Sequence, residues 1–225
     1  RELSREVKAY VRDQITATSR QAREAKDEAA LLDGLYASVQ QSIQHFMATE
    51  KPKLAEIVKA LGEAKQVWVI GEGISFDLAN FFSKLLENAG IPSGVFYPGM
   101  VEASRWLSRM QEGDVLLTLA LGNPGVDSGY TVHQAKEKGV HTICLCGSDV
   151  ALPARESDVS VALPIHGPHG IPSFAPTGLI LTLLWEALAS RDPEKTQAMF
   201  ADIESTLKAF LALRAQTEEY DVALS

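Results

Sequence analysis

Val67-Trp-Val-Ile-Gly-Glu-Gly-Ile-Ser75 is the stretch that decides the fold. Val67 to Ile70 are apolar and two of them are valine, the pattern of a short strand buried on both faces. Gly71 and Gly73 then turn the chain. Ser75 opens an amphipathic helical segment that continues through Leu78, Phe81, Phe82, Leu85 and Leu86. A strand, a glycine turn and a helix N-terminus leave unpaired backbone N–H groups at the carboxyl edge of a sheet. Anions bind readily there, because the free donors and the helix dipole both favour negative charge. The Ser75 hydroxyl adds one more donor. A second turn of the same kind is read at Gly122-Asn-Pro-Gly125.

Working outward, strands alternate with helices. The spacing predicts a second strand at 94–97, a helix over 101–110 and a third strand over 113–119, apolar throughout. A helix to Gly139, a fourth strand over 140–145, a short helical turn over 153–156 and a fifth strand over 158–163 follow. A Pro-, Gly- and His-rich loop spans 164–176, and helices are expected over 177–189 and 193–214. This order is that of βαβ units. It predicts an α/β chain: a three-layer αβα sandwich with a five-stranded parallel sheet, flavodoxin-like, plus an N-terminal helical arm. Ligands of such sheets sit beyond the carboxyl ends of the strands, where the connections diverge, so the turns after strands one and three are the candidates.

The arm comprises residues 1–48 and the α/β domain residues 49–225. In the arm, Leu3, Val7, Tyr10 and Val11, then Leu31, Leu32, Leu35, Val39, Ile43 and Phe46, form a helical apolar stripe. Such a stripe needs cover, from the domain or from another copy. A separate shorter helix is expected over 54–64. The chain opens Arg1-Glu-Leu-Ser, without methionine and already in helical rhythm, which is expected of a piece of something longer.

Charge narrows the partners. Twenty-one basic and 29 acidic residues give a net charge of −8, which speaks against this chain itself gripping a nucleic-acid backbone. No apolar run reaches the ~18 residues of a membrane span and no signal peptide is visible. Cys144 and Cys146 are the only cysteines; two apart on a strand, they share a face as small buried side chains. A cytoplasmic location is expected.

Gly71-Glu-Gly73 resembles a dinucleotide fingerprint, but its third glycine position is Phe76, and no acidic residue ends the second strand near Tyr97. No cofactor is expected. Asn123 offers donor and acceptor within the second turn. His166 and His169 lie in the loop after strand five; Gly167-Pro168 between them precludes a helical pair, which disfavours a metal and leaves idle loop positions or ligand contact, the latter making them candidates. The ligand-binding set is therefore Gly71, Glu72, Gly73, Ser75, Gly122, Asn123, Gly125, His166 and His169. Glu72 and Glu102 are the carboxylates nearest the crevice. Neither has a nucleophile or paired acid at a diagnostic spacing, so no catalytic residue is assigned.

Gly71-x-Gly73-x-Ser75, Gly113-Asp114 ahead of an apolar strand, Ala135-Lys136-x-x-Gly139 and Asp158-Val159 together resemble the SIS (sugar isomerase) domain. More narrowly, Leu31 to Leu163, with Ala64-Lys-Gln-Val-Trp-Val-Ile-Gly71, looks like the C-terminal half of RpiR-type (MurR/RpiR) transcriptional regulators. The resemblance implies the SIS fold, a preceding helix-turn-helix domain that alone contacts DNA, and a sugar phosphate or related carbohydrate as effector. It also implies a homodimer or homotetramer, with the arm carrying the coupling between effector and DNA. Two departures stand out. SIS domains carry Ser-x-Ser-Gly-x-Thr after strand three, where this chain has Ala120-Leu-Gly-Asn-Pro-Gly125, and a later Ser-Pro-Leu-Ala is here Ala151-Leu-Pro-Ala154. Each lost hydrogen bond to a charged group removes ~1.5–3 kcal/mol of binding. The first expectation is a non-catalytic sensing domain. The alternative is a sugar-phosphate aldose–ketose isomerase with Glu72, Glu102 or His166 as base.

Overall fold

The computed structural model describes residues 27–122, 125–165 and 174–223. Their elements are α1 (Glu28–Glu63), β1 (Val67–Gly71), α2 (Ile74–Asn88), β2 (Ser93–Phe96), α3 (Met100–Leu107) and β3 (Val115–Ala120). After them come α4 (Val126–Lys136), β4 (His141–Cys146), α5 (Leu152–Glu156), β5 (Val159–Ala162), α6 (Phe174–Arg191) and α7 (Pro193–Ala223). The five strands form one sheet in the order β2-β1-β3-β4-β5. Every neighbouring pair is parallel. Because β1 connects outward to β2 and β3 connects the other way to β4, the chain reverses direction between β1 and β3. The expected αβα sandwich is therefore present, with its switch point between the two glycine-rich turns.

β3 shows why the sheet sits centrally. All six of its residues are buried, and its side chains alternate between two cores. Val115, Leu117 and Leu119 face the larger one, which collects Phe46, Leu54, Ile57 and Leu61 from α1, Phe82 and Leu86 from α2, and Ile180 and Leu184 from α6. Leu116 faces the other with Ile70, packed against Ala103 and Leu107 of α3 and Val132 and Ala135 of α4. Period-two alternation with both faces covered is what a continuous apolar run requires. Cys144 and Cys146 lie fully buried on one face with Ala120 and Ala154, as their spacing predicts. The Cys144 thiol is pushed well up by its hydrogen bond to Cys146 and by burial, and the Cys146 Sγ donates to the Val161 carbonyl.

The helical ends depart from expectation. No separate helix covers 54–64: α1 runs unbroken for 36 residues, through Pro52 and through the expected boundary at residue 48. Proline removes one hydrogen bond to the residue four back. Here that residue is Ala48, exposed like Pro52 itself, so the freed carbonyl meets water. Burial of Phe46 ahead of Pro52 and of Leu54, Ile57 and Leu61 behind it holds the helix across the gap. Asp27 caps its start by accepting the Ala30 N–H at 2.9 Å. α6 begins three residues earlier than expected, at Phe174, and α7 extends to Ala223. Residues 1–26 of the expected arm lie outside the described residues. None of the described helices is long and apolar enough to cross a membrane.

Candidate functional site

The two glycine-rich turns meet at the carboxyl edge of β1 and β3. At Gly71 a Cβ would lie 2.6 Å from the Ser75 carbonyl oxygen, so only glycine lets the chain double back this tightly. Gly73 caps α2 with φ 56° and no side-chain cap. The Ser75 N–H donates to the Glu72 carbonyl at 3.2 Å and the Phe76 N–H to the Gly73 carbonyl at 3.0 Å. The sequence predicts this strand–turn–helix, and the structure has it.

Ser75 plays a part that its position alone does not announce. It is only 3% exposed, and its Oγ accepts the backbone N–H of Leu121 at 3.2 Å. The hydroxyl expected to donate to a ligand is thus spent as an acceptor that ties the first turn to the second, with its own proton left to donate.

Glu72 makes the second tie. Its Oε1 accepts the backbone N–H of Ser128, in the first turn of α4, at 2.8 Å. α4 is capped by Gly125 at φ 64°, ψ 40°, a left-handed residue with no side chain to offer. A carboxylate from a different turn therefore satisfies one of the orphan donors of α4 and sits at the positive end of its dipole. One signal for this pairing was available in the sequence. A helix that begins at glycine needs an acceptor from elsewhere, and Glu72 is the acidic residue of the facing turn.

Of the other expected ligand residues, Gly122 is exposed and Gly125 buried. At Gly125 a Cβ would meet the Pro153 ring at 2.8 Å, which adds a packing demand to the backbone one. Asn123, His166 and His169 lie outside the described residues. Glu102 does not reach the turns by any hydrogen bond among the described residues; its Oε1 accepts the Trp106 Nε1–H at 2.6 Å, one turn along α3. Trp106 in turn packs on Trp68 at 5.0 Å. Among the described residues no three His, Cys, Asp or Glu side chains gather as a metal-binding group.

Beside the second turn, a pocket of about 140 Å³ opens between α3 and α4, lined by Pro98, Met100, Ala103, Leu107, Tyr130 and Thr131. Asp127, the neighbour of Ser128, also lines it. Sequence reasoning did not find this pocket, because its walls are ordinary helix positions three and four apart.

The SIS domain model matches residues 60–190. That is more than half of the chain, and the chain belongs to the SIS domain family. No curated protein sequence matches it significantly. Among solved structures it is similar to the sugar isomerase domain of an RpiR transcription factor from Sphaerobacter thermophilus. Identity is 23%, the TM-score 0.72, and 78% of this chain and 98% of that one are covered. It is similar to the Vibrio vulnificus NanR protein complexed with ManNAc-6P at 19% identity and TM-score 0.67, over 85% of this chain and 73% of that one. It is also similar to the E. coli CFT073 protein c3406, solved with a ligand bound, at 18% identity and TM-score 0.62, over 77% and 95%. At these identities the structural likeness shows the fold.

Proposed function

We propose that this SIS-family chain is the non-catalytic, effector-sensing part of an RpiR-like DNA-binding transcriptional regulator, and that its effector is a carbohydrate derivative of the sugar-phosphate class. One observation carries the reading. The turns after β1 and β3, at the switch point of the sheet, are bound to each other through Ser75–Leu121 and Glu72–Ser128. A ligand seated there bears on both halves of the sheet at once, which is what a sensor needs. A phosphorylated ligand presenting its charge to α4 has to take over the place of Glu72; an unphosphorylated one leaves that carboxylate where it is.

The likeness to an RpiR transcription factor domain and to NanR complexed with ManNAc-6P supports this reading. So does the state of the two carboxylates available as bases. Glu72 and Glu102 both already accept hydrogen bonds that hold the scaffold. In this reading the protein works in the cytoplasm as a homodimer or homotetramer and reaches DNA only through a helix-turn-helix domain.

Calorimetry and thermal melting with matched pairs of phosphorylated and free sugars test it. A binder raises Tm in proportion to RT ln(1 + [L]/Kd). No heat and no shift from any sugar, with the chain folded, overturns the sensing reading. Interconversion of an aldose and a ketose phosphate by the purified chain overturns the non-catalytic part.

A further inference from the structure

The pocket between α3 and α4 has no part in holding the two turns together. It measures about 140 Å³, close to the ~150 Å³ of a dry apolar cavity that takes up benzene. Met100, Ala103 and Leu107 of α3 wall it on one side and Tyr130 of α4 on the other. Ser104 and Thr131 also line it, but both hydroxyls are spent on their own helices. Ser104 Oγ donates to the Met100 carbonyl at 2.7 Å, and Thr131 Oγ1 to the Asp127 carbonyl at 2.8 Å. The middle of the well is left apolar.

Polar groups stand free at its two ends. Asp127 and Gln134 both line the pocket, seven residues and so roughly 10 Å apart along α4. Neither side chain has a hydrogen bond or ion pair among the described residues. Asp127 is the only charged residue of the lining, with no lysine, arginine or histidine beside it there. A carboxylate in a first turn also suits the helix dipole, yet Glu72 already serves that end of α4 through the Ser128 N–H. Tyr130, one turn from Asp127, is 64% exposed. An aromatic face and an uncompensated carboxylate on one side of a helix together favour a cation, and specifically one whose charge is carried on a carbon body. We propose that this pocket binds an organic ammonium ion with a ring-sized apolar body, its ammonium group at Asp127 and its body between Met100, Leu107 and Tyr130. Binding here does not depend on what the crevice takes.

Titrations of the full chain with 2-phenylethylamine, 2-phenylethanol and 3-phenylpropionate, followed by amide NMR, test it. The three share one apolar body and differ in charge. The amine should bind about fivefold more tightly than the alcohol, the yield of one exposed ion pair, and the carboxylate should bind most weakly. The shifted amides should lie on α3 and α4. Asp127→Asn should bring the amine down to the affinity of the alcohol and leave the alcohol unchanged. Ser104→Phe, at an exposed position, puts a ring into the well and should abolish binding of both at unchanged Tm. Should that variant not fold, Asp127→Asn decides alone. No binding of the amine, a carboxylate that binds as well, or shifts confined to other elements overturns the proposal. So does an amine affinity that Asp127→Asn does not lower, or that a folded Ser104→Phe retains.

Discussion

The carboxylate of Glu72 and the backbone N–H of Ser128 are 2.8 Å apart, though 56 residues separate them in the chain. An acidic side chain thus occupies the anion-seeking end of α4, and its removal should be felt both in stability and in what the site admits. Glu72→Gln keeps an oxygen acceptor for Ser128 and loses only the charge. The variant should bind inorganic phosphate about tenfold more tightly than the wild type, the equivalent of roughly 1.4 kcal/mol of relieved repulsion at a helix N-terminus. Glu72→Ala also loses the cap and should unfold about 1 kcal/mol more easily. Phosphate titrations followed by Tm check the first, and urea unfolding the second.

Ser75→Ala leaves the Leu121 N–H without its acceptor in a buried place. An orphaned buried donor costs about 1–3 kcal/mol. The variant should lose that much stability and should also lose any ligand-induced Tm shift, because the two turns are no longer fastened. Ser75→Thr, which keeps the hydroxyl, separates the bond from the bulk of the side chain.

Gly71→Ala should be among the most damaging single changes in the chain. The new methyl group meets the Ser75 backbone, which cannot move aside as a flexible side chain could. Overpacking of this kind costs about 1–3 kcal/mol. Chemical denaturation checks it, with Gly34→Ala as control, since nothing lies within 4 Å of a Cβ at Gly34.

Asp158 sets an acid limb. Burial tends to raise its pKa, but the Lys136 ion pair and the Thr142 N–H and hydroxyl outweigh burial and hold it below the ordinary value. Lys136 Nζ lies 2.7 Å from Oδ1. Thr142 N and Oγ1 donate to Oδ2 at 2.9 and 2.8 Å. As the folded pKa is depressed, the unfolded chain takes up the proton first. The stabilisation is therefore complete above the unfolded aspartate value, near ~3.9, and is lost as pH falls through the folded one. Stability measured downward from pH 6 should decline less steeply in Asp158→Asn than in the wild type.

Thr118 is fully buried on β3 with no hydrogen-bond partner for its hydroxyl among the described residues. Thr118→Val keeps the shape and removes the orphan oxygen. It should raise stability by about 1 kcal/mol, readable as a higher urea midpoint with unchanged slope.

The sheet was legible because burial writes itself into composition. Val115 to Leu119 can only be a strand covered on both faces, and Gly71 and Gly73 mark where the chain must turn. Helix ends were less legible. Pro52 reads locally as a break, and only the burial of Phe46 and Leu54 on either side overrides it. The site was legible as a place and not as a set of bonds. Ser75 and Glu72 reach across to Leu121 and Ser128, and such pairings depend on how two distant turns meet, which no local spacing encodes. Asn123, His166 and His169 lie outside the described residues.

α1 has a mechanical consequence. At 1.5 Å per residue its 36 residues measure about 54 Å, and only the half from Phe46 onward is buried against the core. Arg191 pins that half, donating to the Val58 carbonyl at 3.2 Å and lying 3.5 Å from Glu63. The other half, residues 28–45, contributes no residue to that core. A tilt of about 5° in the pinned half would swing the Glu28 end through roughly 2–3 Å, given that rise per residue. A small strain at the sheet would in this way become a larger displacement at the helix's far end.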